Sequence, residues 1–574
     1  MAAAAPRLHR HDIAAALGLA LLLGLAWTLR GWSDLSALRL PDTDDVMRLQ
    51  QIRDWIAGQA FGDLAQHRLG PAPGLEMHWS RLPDLVPAAL ITGMTPLLGR
   101  HGAEVMAVVA WPVMLFAGTL LLTAAIARAL GASGALAATL GALAYPATSL
   151  FMPGRIDHHS LQLLLLLVVV RSLVGRGTAR AGLAAGIATA ASFAIGLETA
   201  PLLALAVAAA TLLWVRDEDG AHARLCGYAV GLVLSLAGAA ALLRTRGWTY
   251  PACDGFTENF WRAGQFAAVA LLALAVFGFG LHSRRARLLA AVAAGAAASG
   301  GALLLAPDCL HPYGHVDPLL ARFWLSHVEE AQPLFAAPTA HAIGYAGLML
   351  AGIAASLFAW RRERGIGWAV LLAFQLGALA LTLAQLRGAY AGALLAAPAL
   401  AAFIANARAR GVLPLAGAWF ASTGLLYPIA AQALAPQAAA PSDTGCDPSA
   451  ALARLASLKP GTLLSPIDLG ARAIAATPHR AVAGPYHRNT AGNLAMYRFF
   501  LGGAAQARAT AQVLRADYVL LCPRDLSEAG PPAPDSLLAA LRQGTPPHWL
   551  EPIRVPGGAL LYRIATSEAQ DAPR

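Results

Sequence analysis

The stretch Pro41-Asp-Thr-Asp-Asp-Val-Met-Arg48 follows directly on the first apolar segment of the chain and opens a polar region that runs to residue 85. Its acids Asp42, Asp44 and Asp45 stand just outside that segment. At the edge of a membrane span, carboxylates cost little and can bind a cation. The same letters also describe a solvated loop whose first acid only caps a helix. Whether the chain lies in a membrane, and where its other acids fall, decides between these readings.

Of 574 residues, 57% are hydrophobic and 13% charged, which is too little charge to cover a soluble core of this size. A polytopic membrane protein is expected. The formal charge of +10 comes almost entirely from arginine, and the arginines fall in short groups between apolar runs. That grouping orients helices in a bilayer, and it argues against a nucleic-acid partner.

Arg7 and Arg10 precede the apolar run 13–27, which has the charge and core of a signal peptide. Thr28-Leu-Arg-Gly-Trp-Ser33 follows it instead of Ala-x-Ala-like cleavage residues, so it reads as an uncleaved first span. Further runs lie near 103–127, 132–151, 160–174, 181–197, 199–215, 225–243, 265–281, 288–306, 341–359, 366–385, 388–405 and 412–434. Arginine groups at 128, 171–180, 216–224, 284–287, 361–364 and 408–410 separate alternate runs. If each group is cytoplasmic, the parity closes. The segment 83–99 is short, begins Pro83-Asp-Leu-Val-Pro87 and lacks a basic loop after it, so it reads as re-entrant or interfacial.

The expected fold is therefore mostly α, with about thirteen transmembrane helices and a smaller C-terminal α/β domain. The membrane part spans 1–435, with outer loops at 30–102, 152–159, 244–264 and 307–340, and the soluble outer part spans 436–574. Strand-like stretches in the second part, 516–522 and 559–564, alternate with helical ones at 450–457 and 494–514. The expected location is the bacterial inner membrane, with a cytoplasmic N-terminus and a periplasmic C-terminal domain.

This parity puts a set of polar loops on one face. They hold Asp42 and its neighbours, Asp157-His158-His159, Glu198, and a long loop with His311, His315 and Asp317. Acids with an imidazole are the ligands of a hard divalent cation, magnesium or manganese, the latter tolerating nitrogen. The plainer alternative for Asp157-His158-His159 is a polar turn meeting lipid headgroups. For Glu198 it is a cap on the next helix.

The order of these features resembles the GT-C superfamily of membrane glycosyltransferases, most closely the oligosaccharyltransferase catalytic subunit and its bacterial and archaeal single-subunit relatives. Asp42-Thr-Asp-Asp-Val-Met-Arg48 is similar to the family's first-loop motif, Asp157-x-His159 to its second, and His327-Val-Glu-Glu-Ala-Gln-Pro333, through Glu330, to the motif of its large loop. The resemblance implies a sugar or oligosaccharide donor on a polyprenyl phosphate or diphosphate, and transfer at the outer face with inversion. It implies a divalent metal ion held by Asp42, Asp157, His159 and Glu330. Asp42, Asp157 and Glu330 would be catalytic, Asp42 acting on the acceptor, with Asp44 and Asp45 as neighbours able to serve. Arg387 is similar to a family arginine near the lipid phosphate, its plainer reading being a helix-end residue that snorkels; Arg155 is a second phosphate candidate or a partner for Asp157, and His158 and Glu198 are further candidates to bind substrate. Pro466-Ile-Asp468-Leu-Gly470 stands where the family has Trp-Trp-Asp-Tyr-Gly. That departure puts an asparagine acceptor in doubt and leaves peptide, lipid and polysaccharide acceptors open.

Cys253 and Cys309 fall in outer loops, and Cys446 and Cys522 in the outer domain, a distribution that allows two disulfides in an oxidising compartment, with Cys226 as a packing residue. A membrane transporter and a non-catalytic envelope scaffold are the rival classes. A transporter usually places its ionisable groups at mid-membrane.

Overall fold

The computed structural model describes residues 7–310, 316–434 and 446–565, so His311 and His315 lie outside the described residues. The chain forms two compact units: Met1–Arg39 with Trp79–Gly314 and Glu329–Pro436, and Leu40–His78 with His315–Val328 and Gln437–Arg574. The polar stretch after the first helix therefore folds in the same unit as the C-terminal segment.

The first unit is helical. Eight of its helices are long and apolar enough to cross a membrane: Arg10–Arg30, Leu85–Ala129, Ala221–Leu242, Glu258–Gly280, Arg284–Leu305, Thr339–Glu363, Ile366–Ala384 and Gly388–Arg408. Three shorter apolar helices, His159–Val174, Ala179–Ile195 and Ala200–Val215, and a pair bent by 85°, Val412–Ser422 with Leu426–Ala433, complete the set among the described residues. The run 132–151 differs from expectation. It holds a helix of eight residues, Gly134–Gly141, and a 3-10 turn, Ala147–Phe151, separated by a segment that ends in Pro146. Proline has no backbone donor for a helical hydrogen bond, which favours the break. The segment 83–99 is helical and continues into the next run through a break at Gly99, whose φ is 69°.

Close helix contact depends on glycine where Ala179–Ile195 meets Ala221–Leu242. A Cβ on Gly182 or Gly186 would collide with the carbonyls of Arg224 and Tyr228, and one on Gly227 with that of Ala179. Small residues four apart let two backbones touch in an apolar medium.

In the second unit, Thr43–Ile56 begins at Asp42, whose side chain accepts a hydrogen bond from the Asp44 amide at 3.0 Å. Asp44 and Asp45 in the first turn suit the positive end of the helix dipole. This helix packs on Ile467–Ala476. A five-stranded sheet has the spatial order Arg480–Ala481, Thr462–Leu464, Tyr518–Leu521, Leu560–Ile564, Leu550–Ile553. The first three strands are parallel and the rest pair antiparallel. Residues 68–70 close the edge beyond Arg480–Ala481: Ala481 donates to the Arg68 carbonyl and Gly70 to that of Ala481, both at 2.8 Å. The expected helix 494–514 is two helices, Thr490–Leu501 and Ala504–Val513, interrupted at Gly502-Gly503.

Cys253–Cys309 and Cys446–Cys522 are disulfides, with Cα separations of 5.0 and 6.0 Å, and Cys226 is a free, half-buried thiol. Trp79, which would suit an interfacial anchor, is buried instead, as is the neighbouring ion pair Arg81–Asp84 at 3.3 Å.

Candidate active site

Asp157 and His158 occupy the turn that leads into the apolar helix His159–Val174, so their side chains are presented at its start. Asp157 divides its carboxylate between two imidazoles. One oxygen meets His158 Nδ1 at 2.6 Å and the other His159 Nε2 at 3.3 Å. His158 Nε2 meets a Glu198 oxygen at 3.1 Å, and the second Glu198 oxygen accepts from Gln162 Nε2 at 2.9 Å. Glu198 reaches back over Gly196, where a Cβ would collide with its carboxylate. Thus Asp157, His158, Glu198 and Gln162 form one chain of contacts, and Glu198 stands behind His158.

The charges in this chain support one another. Burial pushes the His158 imidazole down, but Asp157 and Glu198 push it up to about 10. Burial raises the Glu198 carboxyl, yet the positive charge of His158, with His159 and Arg387, holds it well below the usual carboxylate range. An imidazolium between two carboxylates is the arrangement that low dielectric favours over any isolated charge.

A second segment brings Glu330 to the same place. The Arg387 amide donates to the Glu330 carbonyl at 3.1 Å and the Leu386 amide to that of Gln332 at 2.9 Å, which ties the 3-10 turn Glu329–Ala331 to the start of helix Gly388–Arg408. The Glu330 carboxylate meets Arg387 Nη2 at 3.2 Å through one oxygen, and the other lies 3.7 Å from His159 Nε2. The rings of Tyr345 and Tyr390 lie 6.1 Å apart, and the Tyr390 phenol lies within the electrostatic reach of Glu330 and Arg155. Tyr145 stands edge-on to Tyr345 at 6.0 Å.

The structure therefore brings together Asp157, His158, His159, Glu198, Glu330 and Arg387, with Arg155 close by. Asp157, His158 and His159 each offer a ligand atom within 4.8 Å of the others. His158 is poorly suited to a metal, because each of its nitrogens faces a carboxylate. Asp157, His159 and Glu330 fit better. The imidazole nitrogen of His159 faces one oxygen of each acid at 3.3 and 3.7 Å, spacings suited to donors that share one cation. Gln162 and the tyrosines were missed by sequence reasoning. A glutamine inside the apolar run 160–170 is a signal that could have found the first; a tyrosine at a helix end carries none.

Asp42, Asp44 and Asp45 belong to the second unit. Asp42 caps its helix, whereas Asp45 is fully buried, a poor position for touching substrate. In the same unit, Asp468 follows the central parallel strand Thr462–Leu464, and Asp525 and Glu528 follow its parallel neighbour Tyr518–Leu521. Ligands of open sheets bind outside the carboxyl ends of parallel strands. Crowding by protein raises the Asp468 carboxyl, Glu528 adds to this, Arg472 opposes it and Asp42 adds again. Tyr497 donates to Glu528 at 3.2 Å. Asp317, which sequence offered as a metal residue, instead caps the short helix Pro318–Phe323 by accepting from the Leu319 amide.

No protein-family model matches the sequence, and no curated protein matches it. Solved structures do match its fold. Archaeal oligosaccharyltransferase AglB from Archaeoglobus fulgidus, in complex with an inhibitory peptide and a dolichol-phosphate, is 15% identical and has a TM-score of 0.66, covering 97% of this chain and 75% of that one. The apo form of the Archaeoglobus fulgidus oligosaccharyltransferase gives 0.64 at 15% identity, over 89% and 70%. Its complex with zinc and sulfate gives 0.58 at 14%, over 97% and 74%. The resemblance carried by the short motifs thus extends to the fold of nearly the whole chain.

Proposed function

We propose that this chain is a multi-pass membrane glycosyltransferase that moves a sugar or oligosaccharide from a polyprenyl-phosphate or diphosphate carrier to an acceptor, as an oligosaccharyltransferase does. The observation that carries this reading is the convergence of Asp157, His159, Glu330 and Arg387 from separate segments into one cluster. Structures of the similar archaeal protein hold a dolichol-phosphate and, in another case, a tethered acceptor peptide, which favours a lipid-linked donor and a peptide acceptor here. Lipid and polysaccharide acceptors remain within the class.

In this reading Asp157, His159 and Glu330 hold a divalent cation, magnesium or manganese. When bound, the ion supplies positive charge against the leaving phosphate. Arg387, held by Glu330 through side chain and backbone, presents its guanidinium to a phosphate oxygen. His158 and Glu198 hold Asp157 in orientation. Asp42, the first-loop acid of the resemblance, takes the proton of the acceptor nucleophile, and displacement at the anomeric carbon inverts it.

Transfer at the outer face of a bacterial inner membrane, with the N-terminus cytoplasmic, is supported by the arginine groups between the apolar runs. The two disulfides favour an oxidising compartment for residues 253, 309, 446 and 522. A transporter is less well supported, since Asp157, Glu198, Glu330 and Arg387 stand at helix starts and in turns.

Deleting the gene and comparing surface glycans and glycoproteins tests the proposal. A glycan should disappear and return with the wild-type gene, but not with Asp42→Ala or Asp157→Ala. Full rescue by both variants would remove the catalytic roles.

A further inference from the structure

We propose that the chain carries a binding site for an anionic glycerophospholipid at the end of its helices opposite Arg387. A cleft of about 320 Å³ is lined there by Phe358, Phe403, Asn406, Arg410, Pro414 and Gly417, from the ends of helices Thr339–Glu363 and Gly388–Arg408 and from Val412–Ser422. Helix Gly388–Arg408 is 21 residues long, which places the cleft about 30 Å from the Glu330–Arg387 pair. The cleft is therefore separate from the candidate active site.

Its walls and its rim differ in chemistry. The walls are aromatic and aliphatic. Val412, Leu413 and Phe420 on the adjoining helix are exposed apolar residues, as suits a surface that faces acyl chains. The helix that follows turns away by 85°, so Val412–Ser422 is not continued as a straight span. At the rim, Arg362 Nη1 donates to Asn406 Oδ1 at 2.6 Å, and the Arg410 guanidinium lies 5.7 Å from the Phe358 ring centroid. Arg361, Arg364 and Arg408 flank them. Among the described residues Arg361, Arg362, Arg364, Arg408 and Arg410 make no ion pair, and the one acid in their midst, Glu363, accepts from Trp368 at 2.8 Å.

Arginines that only orient a span can snorkel into water and require no cleft. Here one guanidinium, Arg410, lines an apolar slot beside a ring face, and a second, Arg362, is held to the Asn406 amide that lines it. The complement of that pattern is a phosphodiester joined to an acyl chain: the charge meets guanidinium donors and the chain fills the slot.

The test uses the full chain purified in detergent, with native mass spectrometry counting retained lipid and thermal unfolding followed after addition of phosphatidylglycerol or phosphatidylcholine. One variant, Arg362→Gln with Arg410→Gln, removes the charge. A second, Gly417→Phe, keeps every charge and fills the slot, since a Cβ at Gly417 meets nothing within 4 Å. Arg176→Gln with Arg180→Gln serves as a control in another arginine loop. Wild type should retain phosphatidylglycerol over phosphatidylcholine and unfold at a higher temperature with it. Both cleft variants should retain at least fivefold less, and the control should match wild type.

Equal retention of the two lipids by wild type would overturn the proposal. So would wild-type retention by Gly417→Phe, which would leave the arginines as topology signals only. Stabilisation by inorganic phosphate or a polyprenyl phosphate equal to that by phosphatidylglycerol would assign the site to another phosphate. The proposal requires only a chain in a bilayer, so its failure leaves the glycosyl-transfer reading untouched.

Discussion

Asp12 and Asp157 are both buried acids at the start of an apolar helix, both beside a cationic partner, and they are built for different ends. Asp12 is closed. Arg128 donates to its two oxygens at 2.7 and 2.8 Å, and the His9 amide donates to one of them at 2.9 Å. Gly134 presses so close that a Cβ there would touch the carboxylate. Such a fork saturates the acid and staples Arg10–Arg30 to the end of Leu85–Ala129. Asp157 is divided between His158 and His159, and Glu330 between Arg387 and a His159 nitrogen 3.7 Å away. That longer spacing exceeds a hydrogen bond but suits donors around a shared cation. Burial and charge pairing are therefore common to both acids; how fully the pairing saturates them distinguishes the two.

Substitutions can break this contrast. The largest effect is expected from Asp157→Asn, which keeps size and removes charge. Transfer should fall by about 10²–10³-fold, since charge stabilisation at a metal site is worth several kcal/mol. Thermal stability should fall modestly, since the buried His158 imidazolium loses one of its two carboxylates and keeps Glu198. A steep loss of stability with activity retained per folded molecule would make Asp157 a second staple.

The converse variant, Asp12→Ala, leaves the partly exposed Arg128 without its fork and should cost about 1–3 kcal/mol of stability. Unfolding in denaturant measures this, and the specific activity of the folded fraction should equal wild type.

Glu198→Gln sharpens the contrast from within the candidate site. If Glu198 acts through His158 on Asp157, manganese affinity followed by electron paramagnetic resonance should weaken about 10–100-fold, the usual effect of an outer-shell partner. An unchanged affinity combined with a raised donor KM would return Glu198 to the cavity wall. The smallest effect is expected from Arg387→Lys, which keeps the charge and loses the planar fork. Donor KM should rise about tenfold with kcat nearly constant, corresponding to about 1.4 kcal/mol of phosphate recognition.

Much of this architecture was legible in local patterns. Apolar runs and arginine groups marked the helices, and the loop 152–159 ahead of the run 160–174 held Asp157 and His159, which stand where that helix begins. The cysteine positions matched the two disulfides. The misreadings were of another kind. The run 132–151 is apolar enough for a span, yet it is broken ahead of Pro146, and hydropathy does not register such a break. The contacts of Glu198 with Gln162 and His158 were not readable either, because nothing nearby in sequence shows that they meet its oxygens.

By itself the sequence determined a set of long apolar helices and a small α/β part, since hydropathy and the capping of helices act over a few residues. Only the tertiary structure decided that 40–78 folds with the C-terminal segment, that Glu330 is zipped by backbone to Arg387, and that His158 lies between Asp157 and Glu198 while His159 faces Asp157 and Glu330. Those contacts join residues far apart in the chain. Their formation depends on loop closure and packing, which no local pattern encodes.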